Sequence, residues 1–317
     1  MKQLGIAIIG AGFWGRNHAR NLKELSETRL IAICDKDEAR AKSVANLFGV
    51  EAYSDSAEML KRKDIDAVTV CTWSTHLAIE ATRALKAGKH VLVEKPMANN
   101  VLEAKKIVAL ARRKQRYLMV GFLMRFIPGL HHIKQAVAKG EIGTVVYATA
   151  RRVSQWPERI GDVGVVKDLA IHDIDITRYL FDDEPVEIYA KAGNLRHKKF
   201  EDHAQILITF KGRKTAFIEA NWLTPYKIRK LTVTGSEAIM SLDYITQEIT
   251  IETSGQTLTP RYEAKEPLRL ELQHFASSIL QDKEPVITGI DGLKALQIAE
   301  GALKSARKGS AVKLEPS

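Results

Sequence analysis

Cysteine is scarce in this chain. Cys34 and Cys71 are the only two in 317 residues, and both fall at the ends of predicted strands. They read as small buried hydrophobes, which excludes a disulfide framework and a cysteine-built metal site. No apolar run approaches the roughly 20 residues that span a bilayer, so no membrane partner is expected. A metal could be held by His172 with neighbouring acids, but no second His or Cys stands at metal-ligand spacing from it, and no metal is expected. Internal repeats, low-complexity segments and Gly/Ser-rich linkers are all missing. The first strand begins within a few residues of Met1, which is read as leaving no room for a signal peptide, and a cytoplasmic location is the expectation. With 45% hydrophobic and 27% charged residues the composition is that of a globular chain and excludes disorder. The length suffices for two domains.

Acidic residues are outnumbered, and the formal net charge is +10. Residues 1–120 hold 21 Lys and Arg against 13 Asp and Glu, and the remainder 27 against 25. The excess therefore lies in the first part of the chain, as short runs at 61–63, 105–106 and 112–114 on predicted helix faces. Without interleaved aromatics or a nucleic-acid motif it reads as solvated helix surface, and no nucleic-acid partner is expected.

The chain does contain KQLGIAIIGAGFWG at residues 2–15. An apolar strand runs into Gly10, Gly12 and Gly15, a G-x-G-x-x-G at a strand-to-helix turn. Gly10 permits the tight turn, Gly12 lets the backbone approach a pyrophosphate, and Gly15 lets the helix pack on the strand. The helix N-terminus then attracts phosphate charge. Phe13 and Trp14 lie inside this fingerprint and count with the cofactor contacts. A second strand at 30–34 ends in Asp35, 20 residues after Gly15, where a carboxylate accepts from ribose hydroxyls and repels a 2′-phosphate. The expected cofactor is NAD in preference to NADP, although Lys36 and Arg40 stand near enough to tolerate that phosphate; Arg40 is counted with the cofactor contacts.

Short apolar runs alternate with helical patterns up to about residue 122, the signature of a parallel sheet wrapped by helices. Strands are predicted at 6–9, 30–34, 51–53, 67–71, 90–93 and 117–121. Helices are predicted after the fingerprint and at 38–48, 56–61, 76–87 and 100–114. Beyond residue 143 come extended stretches at 144–153, 185–192, 204–210, 215–222, 228–235, 238–242 and 248–253, rich in Val, Ile, Thr and aromatics. They predict a mainly antiparallel sheet, with helices at 130–139, 167–180, 268–281 and 291–307. The expected fold is α/β: a doubly wound dinucleotide-binding domain over 1–122 and an α+β domain with a large open sheet over 123–317.

Three clusters lie where such a fold puts its site, beyond the strand ends. Thr72, Trp73 and His76 follow the strand at 67–71 and are placed to border the cofactor. Glu94-Lys95-Pro96 follows the strand at 90–93; Glu94 can sit against the nicotinamide ribose, and Lys95 can stabilise a developing alkoxide by fixed charge. The segment DLAIHDID at 168–175, if helical, puts Asp168 and His172 on one face at i and i+4, with Asp175 one turn on. A carboxylate there can orient the imidazole, whose titration suits proton exchange with an alcohol. A surface ion pair and a salt-bridged helix are the structural alternatives.

Taken together, these features resemble the Gfo/Idh/MocA oxidoreductase family over essentially the whole chain. AGKHVLVEKP at 87–96 is similar to that family's AGKHVxxEKP segment, and 121–128, with Arg125 and Phe126, resembles its interdomain segment. The resemblance implies Lys95, Asp168 and His172 as catalytic residues, Arg125 among the cofactor contacts, NAD or NADP as cofactor, and back-to-back homodimers or homotetramers through the open sheet. RIGDVGVVKDLA at 159–170 resembles members that oxidise the 3-hydroxyl of UDP-N-acetylglucosamine or its uronate. Many others, inositol dehydrogenases included, carry Gly-Gly four residues before the matching Asp, where this chain has Val163-Gly164. Arg159 is a candidate for an anionic sugar or diphosphate, and the expected substrate residues are Lys95, Arg159, Asp168 and His172. The expected activity is NAD-dependent oxidation of a sugar or sugar nucleotide, with a free sugar or inositol as the alternative. A regulator that senses NAD(H) without turnover is the non-enzymatic one.

Overall fold

The computed structural model describes residues 3–157 and 161–314. By internal contacts the chain divides into two units, one of residues 1–123 and 266–294, the other of 124–265 and 295–317.

The first unit alternates strand and helix: β1 (Leu4–Ile9), α1 (Phe13–Glu24), β2 (Thr28–Cys34), α2 (Glu38–Phe48), β3 (Glu51–Tyr53), α3 (Ser56–Leu60), β4 (Ala67–Val70), α4 (Ser74–Lys86), β5 (His90–Val93), α5 (Val101–Lys114) and β6 (Leu118–Val120). The strands form a six-stranded parallel sheet in the order β3-β2-β1-β4-β5-β6. Every residue of β1, β4 and β6 is buried, as expected of strands covered by helices on both faces. The strand order reverses between β1 and β4, and a ligand belongs beyond the C-terminal ends of those two strands. Asp37, Asp55 and Asn100 cap α2, α3 and α5 by accepting backbone N–H bonds, which fixes where each helix starts.

The second unit contains a 3-10 turn (Leu123–Phe126), α6 (Pro128–Lys139), β7 (Val145–Val153), a π-helical turn (Val166–Ala170) that runs into α7 (Ile171–Phe181), β8 (Pro185–Gly193), β9 (His203–Phe210), β10 (Thr215–Asn221), β11 (Ile228–Gly235), β12 (Ile239–Asp243), β13 (Ile249–Glu252) and β14 (Thr257–Leu258). Helices α8 (Pro267–Leu280) and α9 (Gly289–Lys308) follow, and β15 (Val312–Lys313) ends the described chain. The nine-stranded sheet runs β14-β13-β12-β11-β7-β10-β9-β8-β15. Only β7 and β10 pair in parallel; the other neighbours are antiparallel.

Alternation along these strands separates two faces. Ala148, Ala150, Ile206, Ile208, Ile218 and Leu231 are buried on one, against which α7 packs. On the other, Tyr147, Tyr189, Leu207 and Phe217 remain exposed. Register places Phe217 opposite Leu207, and Leu207 opposite Tyr189, so three of these form one row across the sheet.

Two expectations are corrected. The helix expected at 268–281 was assigned to the second domain, but α8 groups with the first unit. Asn21 Nδ2 donates to Glu266 Oε1 (3.0 Å), Arg269 Nη1 to Glu24 Oε2 (2.8 Å) and Gln273 Nε2 to Glu27 Oε1 (2.8 Å). Its apolar spacing announces a buried stripe and says nothing of the partner that covers it. The helix expected from 167 opens as the π-helical turn, so Asp168 and His172 are not held at regular α-helical spacing.

The loop between β8 and β9 is organised by one carboxylate. Asp202 is fully buried and accepts the N–H groups of Leu195, Arg196 and His197 at 2.7–3.0 Å and His203 Nδ1 at 2.9 Å. Burial alone would raise its pKa; these donors outweigh it and hold the carboxyl at about 2. A depressed carboxylate stabilises the fold above its unfolded pKa and loses that contribution as pH falls through the folded value. Asp202→Ala is therefore expected to cost about 2 kcal/mol at pH 7, read by urea denaturation. The gap between wild type and variant should narrow by roughly half at pH 3.

Candidate active site

In the first unit the fingerprint is a cradle that side chains would fill. Gly10 has φ +103°, and a Cβ there would meet the Cys71 carbonyl oxygen at 2.6 Å. A Cβ on Gly15 would come within 1.8 Å of the Gly10 carbonyl oxygen. Gly12 is the N-cap of α1, which has no side-chain cap and no acidic residue in its first turn. The first N–H groups of this helix, which directly follows β1, have no side-chain cap, and the residues fit a pyrophosphate. Phe13 and Trp14 sit on that first turn, 71% and 40% exposed, edge to face at 5.6 Å.

Asp35 lies at the end of β2 and is buried. It accepts the Ala11 N–H on Oδ2 (2.8 Å) and the Asp37 N–H on Oδ1 (3.0 Å). Arg40 grips it bidentately, Nε to Oδ2 at 3.0 Å and Nη2 to Oδ1 at 2.8 Å. Burial pushes its pKa up, and these donors bring it below the usual carboxylate range. Arg40 is thus tied to the Asp35 carboxylate. Thr72 and Trp73 follow β4, with Trp73 as N-cap of α4 and 38% exposed; His76 is in the first turn, its Nδ1 3.0 Å from Thr75 Oγ1.

Glu94 and Lys95 follow β5. Glu94 is buried, its Oε1 3.1 Å from His18 Nε2, and the Lys95 N–H donates to its Oε2 at 3.3 Å. Gly121 leaves the room for this carboxylate, since a Cβ there would stand 3.1–3.2 Å from it. Lys95 is half-buried and joined to Pro96 by a cis peptide bond. Two further residues escaped sequence reasoning. His18 is fully buried on α1. Glu271 on α8 is fully buried, with neither carboxyl oxygen hydrogen-bonded among the described residues. Burial, and then the charge of Glu94, push the Glu271 carboxyl well above the usual range.

In the second unit, Asp168 lies in the π-helical turn, half-buried, and His172 begins α7 at 8% exposure. Widened turns of this kind recur at functional sites. The turn is anchored by Glu201, whose carboxylate accepts the Val166 N–H at 3.2 Å. That carboxylate packs where a Cβ on Gly164 would be, 2.2 Å away, which gives Gly164 its reason in the Val163-Gly164 pair. On α7, Asp173 and Asp175 are both 1% exposed. Arg152 of β7 reaches Asp173 through Nε (2.7 Å) and Nη2 (2.8 Å).

Arg125, expected among the cofactor contacts, lies in the second unit and is buried. Its Nε and Nη2 bind Asp175 at 2.7 and 2.5 Å beneath the Tyr179 ring, a buried pair that serves this unit's core. The pairing was invisible in sequence because 50 residues separate the partners. Arg159 lies outside the described residues. Among the described residues no group of three or more His, Cys, Asp or Glu is placed to hold a metal ion. None of the helices searched is long and apolar enough to cross a membrane.

Comparison with known proteins adds independent findings. A family model described as "Oxidoreductase family, NAD-binding Rossmann fold" matches residues 4–122, and the GFO/IDH/MocA C-terminal domain model matches 130–241. An uncharacterized oxidoreductase of Bacillus subtilis, YrbE, is 31% identical over 99% of this chain and 97% of its own. The myo-inositol 2-dehydrogenase of Thermotoga maritima is 30% identical over 98% of each chain. Among solved structures, UDP-N-acetylglucosamine 3-dehydrogenase of Acidithiobacillus ferrooxidans superposes with a TM-score of 0.90 at 25% identity, covering 97% of this chain and 99% of the other. The resident cofactor is accordingly NAD, and the cradle of Gly10, Gly12, Gly15 and Asp35 fits it.

The Asp35–Arg40 pair generates a test. Asp35→Ser removes the carboxylate that repels a 2′-phosphate and releases the guanidinium beside it. The ratio of NADPH to NADH dissociation constants, measured by calorimetry, should fall roughly 10- to 100-fold, the worth of a charge-assisted hydrogen bond. An unchanged ratio would show that Asp35 plays no part in the selection.

Proposed function

As a member of the Gfo/Idh/MocA oxidoreductase family, the chain is one that we propose oxidises the 3-hydroxyl of a sugar nucleotide of the UDP-N-acetylglucosamine type. The observation that carries the assignment of chemistry is His172, an imidazole held at 8% exposure at the start of a helix clamped by buried ion pairs, four residues after Asp168. NAD, when bound, supplies the hydride acceptor. His172 takes the hydroxyl proton, Asp168 orients the imidazole and stabilises its charged form, and Lys95 holds the reacting oxygen and its developing charge. Glu94, tied to His18 and to the Lys95 N–H, fixes the segment that presents Lys95. The sugar-nucleotide substrate is supported by the 159–170 segment and by the likeness to the A. ferrooxidans structure.

A free polyol is the second reading, favoured by the 30% identity to an enzyme named as a myo-inositol dehydrogenase. An NAD(H) sensor would need neither Lys95 nor His172.

Lys95→Ala and His172→Ala are each expected to lower the single-turnover rate by roughly 10²- to 10⁴-fold while the NAD dissociation constant changes little. A near-normal rate in either variant removes that residue from the mechanism.

Assembly is part of the same proposal. The row Tyr189, Leu207 and Phe217 is an exposed apolar stripe on the open sheet face, of the kind that marks an interface, and we assign it to a homodimer or homotetramer. Phe217→Glu should yield monomers by light scattering, with the far-ultraviolet circular dichroism unchanged; an unaltered mass would place the interface elsewhere.

A further inference from the structure

Arg229 of β11 is the direct cross-strand partner of Arg152 of β7. Residues opposite one another in an antiparallel pair share a face, and like charges placed so repel. Arg152 is on the α7 side of the sheet, where it is committed to Asp173. Arg229 therefore lies on that side as well, only partly exposed, and its guanidinium makes no hydrogen bond or ion pair among the described residues. Burial, and then the charge of Arg152, pull its pKa down to about 10, while Asp173 and Asp168 act in the opposite sense. Lys227, two residues earlier, is lowered first by Arg229 and then by burial.

The surroundings hold further unsatisfied donors. Nη1 of Arg152 and the Tyr244 hydroxyl are buried without a hydrogen-bond partner among the described residues. The Arg152 guanidinium lies 5.1 Å from the centre of the Tyr244 ring, and the Tyr244 N–H donates to the Arg229 carbonyl at 2.9 Å. Arg229 thus stands beside Arg152, whose Asp173 is already gripped, with Lys227 adding a further positive charge. A cation kept half out of water beside another cation is costly, and an apolar side chain would stabilise the fold better. Such a guanidinium suits bidentate binding of a planar or tetrahedral anion.

We propose that Arg229, with Lys227, binds an anionic group of the substrate, a carboxylate or a phosphate, on the sheet face where Arg152 holds Asp173, so that the enzyme selects acidic sugars over neutral polyols. The inference rests on the dehydrogenase assignment above and names residues that would hold the anionic part of its substrate.

The test compares wild type, Arg229→Gln, Arg229→Lys and Lys227→Gln. Each is given N-acetylglucosamine, its 1-phosphate, UDP-N-acetylglucosamine, the corresponding UDP-uronate and myo-inositol. Turnover is read with NAD by absorbance, and binding by calorimetry on protein saturated with NADH. In Arg229→Gln the kcat/KM ratio of acidic to neutral substrates should fall roughly 10- to 100-fold, mainly through KM. Arg229→Lys should restore part of it, and the melting temperature of Arg229→Gln should not fall. A loss confined to the uronate names the carboxylate as the ligand; a loss shared by the 1-phosphate and UDP-N-acetylglucosamine names the phosphate. If nothing is turned over but the acidic compounds bind in an Arg229-dependent way, the subsite stands and the dehydrogenase assignment falls. Equal loss for neutral and acidic compounds, or no preference for an anion in either assay, overturns the proposal.

Discussion

Helix α7 is held by arginine on two sides, and the chemistry assigned to the second unit depends on that grip. Arg152 closes on Asp173 and Arg125 on Asp175, each through two short bonds with both partners nearly removed from water. Two residues apart on an α-helix is a turn of about 200°, so the pairs take hold of different faces. His172, one residue before Asp173, projects into the sector between them. Turning the helix about its axis would pull one carboxylate off its guanidinium and strand a buried charge, at about 3–5 kcal/mol. Buried pairs of this kind add little net stability. They specify one orientation, which an imidazole that exchanges protons with a particular hydroxyl requires.

The first unit achieves the same end with backbone. A side chain at Gly10 would strike the Cys71 carbonyl after β4, and one at Gly15 the Gly10 carbonyl, and the uncapped helix start beside them is left as a positive end. Acids are then placed by role. Asp35 is held below the usual carboxylate range by four donors at the end of β2. Glu94 lies within hydrogen-bond reach of His18, while burial, and then the charge of Glu94, raise the pKa of Glu271.

The elements of the fold were legible because their signals are local: periodicities of 2 and 3.6, glycines at turns, Asp and Asn at helix starts. The fingerprint, Asp35 and the strand-end position of Lys95 followed from the same logic. What escaped notice depends on long-range pairing. Nothing around Arg125 announces its buried ion pair with Asp175, 50 residues away. The allegiance of α8 to the first unit is decided by Asn21, Glu24 and Glu27, which lie far away in sequence. The π-helical turn has the same apolar spacing as an α-helix and is set by Glu201 reaching the Val166 N–H. Arg229 looked like one strand residue among many until register placed it opposite Arg152.

Hydride transfer from a sugar carbinol is the central claim, and isotope tracing tests it most directly. Protein would be mixed with NAD and UDP-N-acetylglucosamine, or its uronate, carrying deuterium at carbon 3, and the nicotinamide product weighed by mass spectrometry. The account predicts reduced cofactor one mass unit heavier than NADH, with a 3-keto sugar formed in equal amount. Protein that binds NAD yet passes no deuterium from either compound would contradict it.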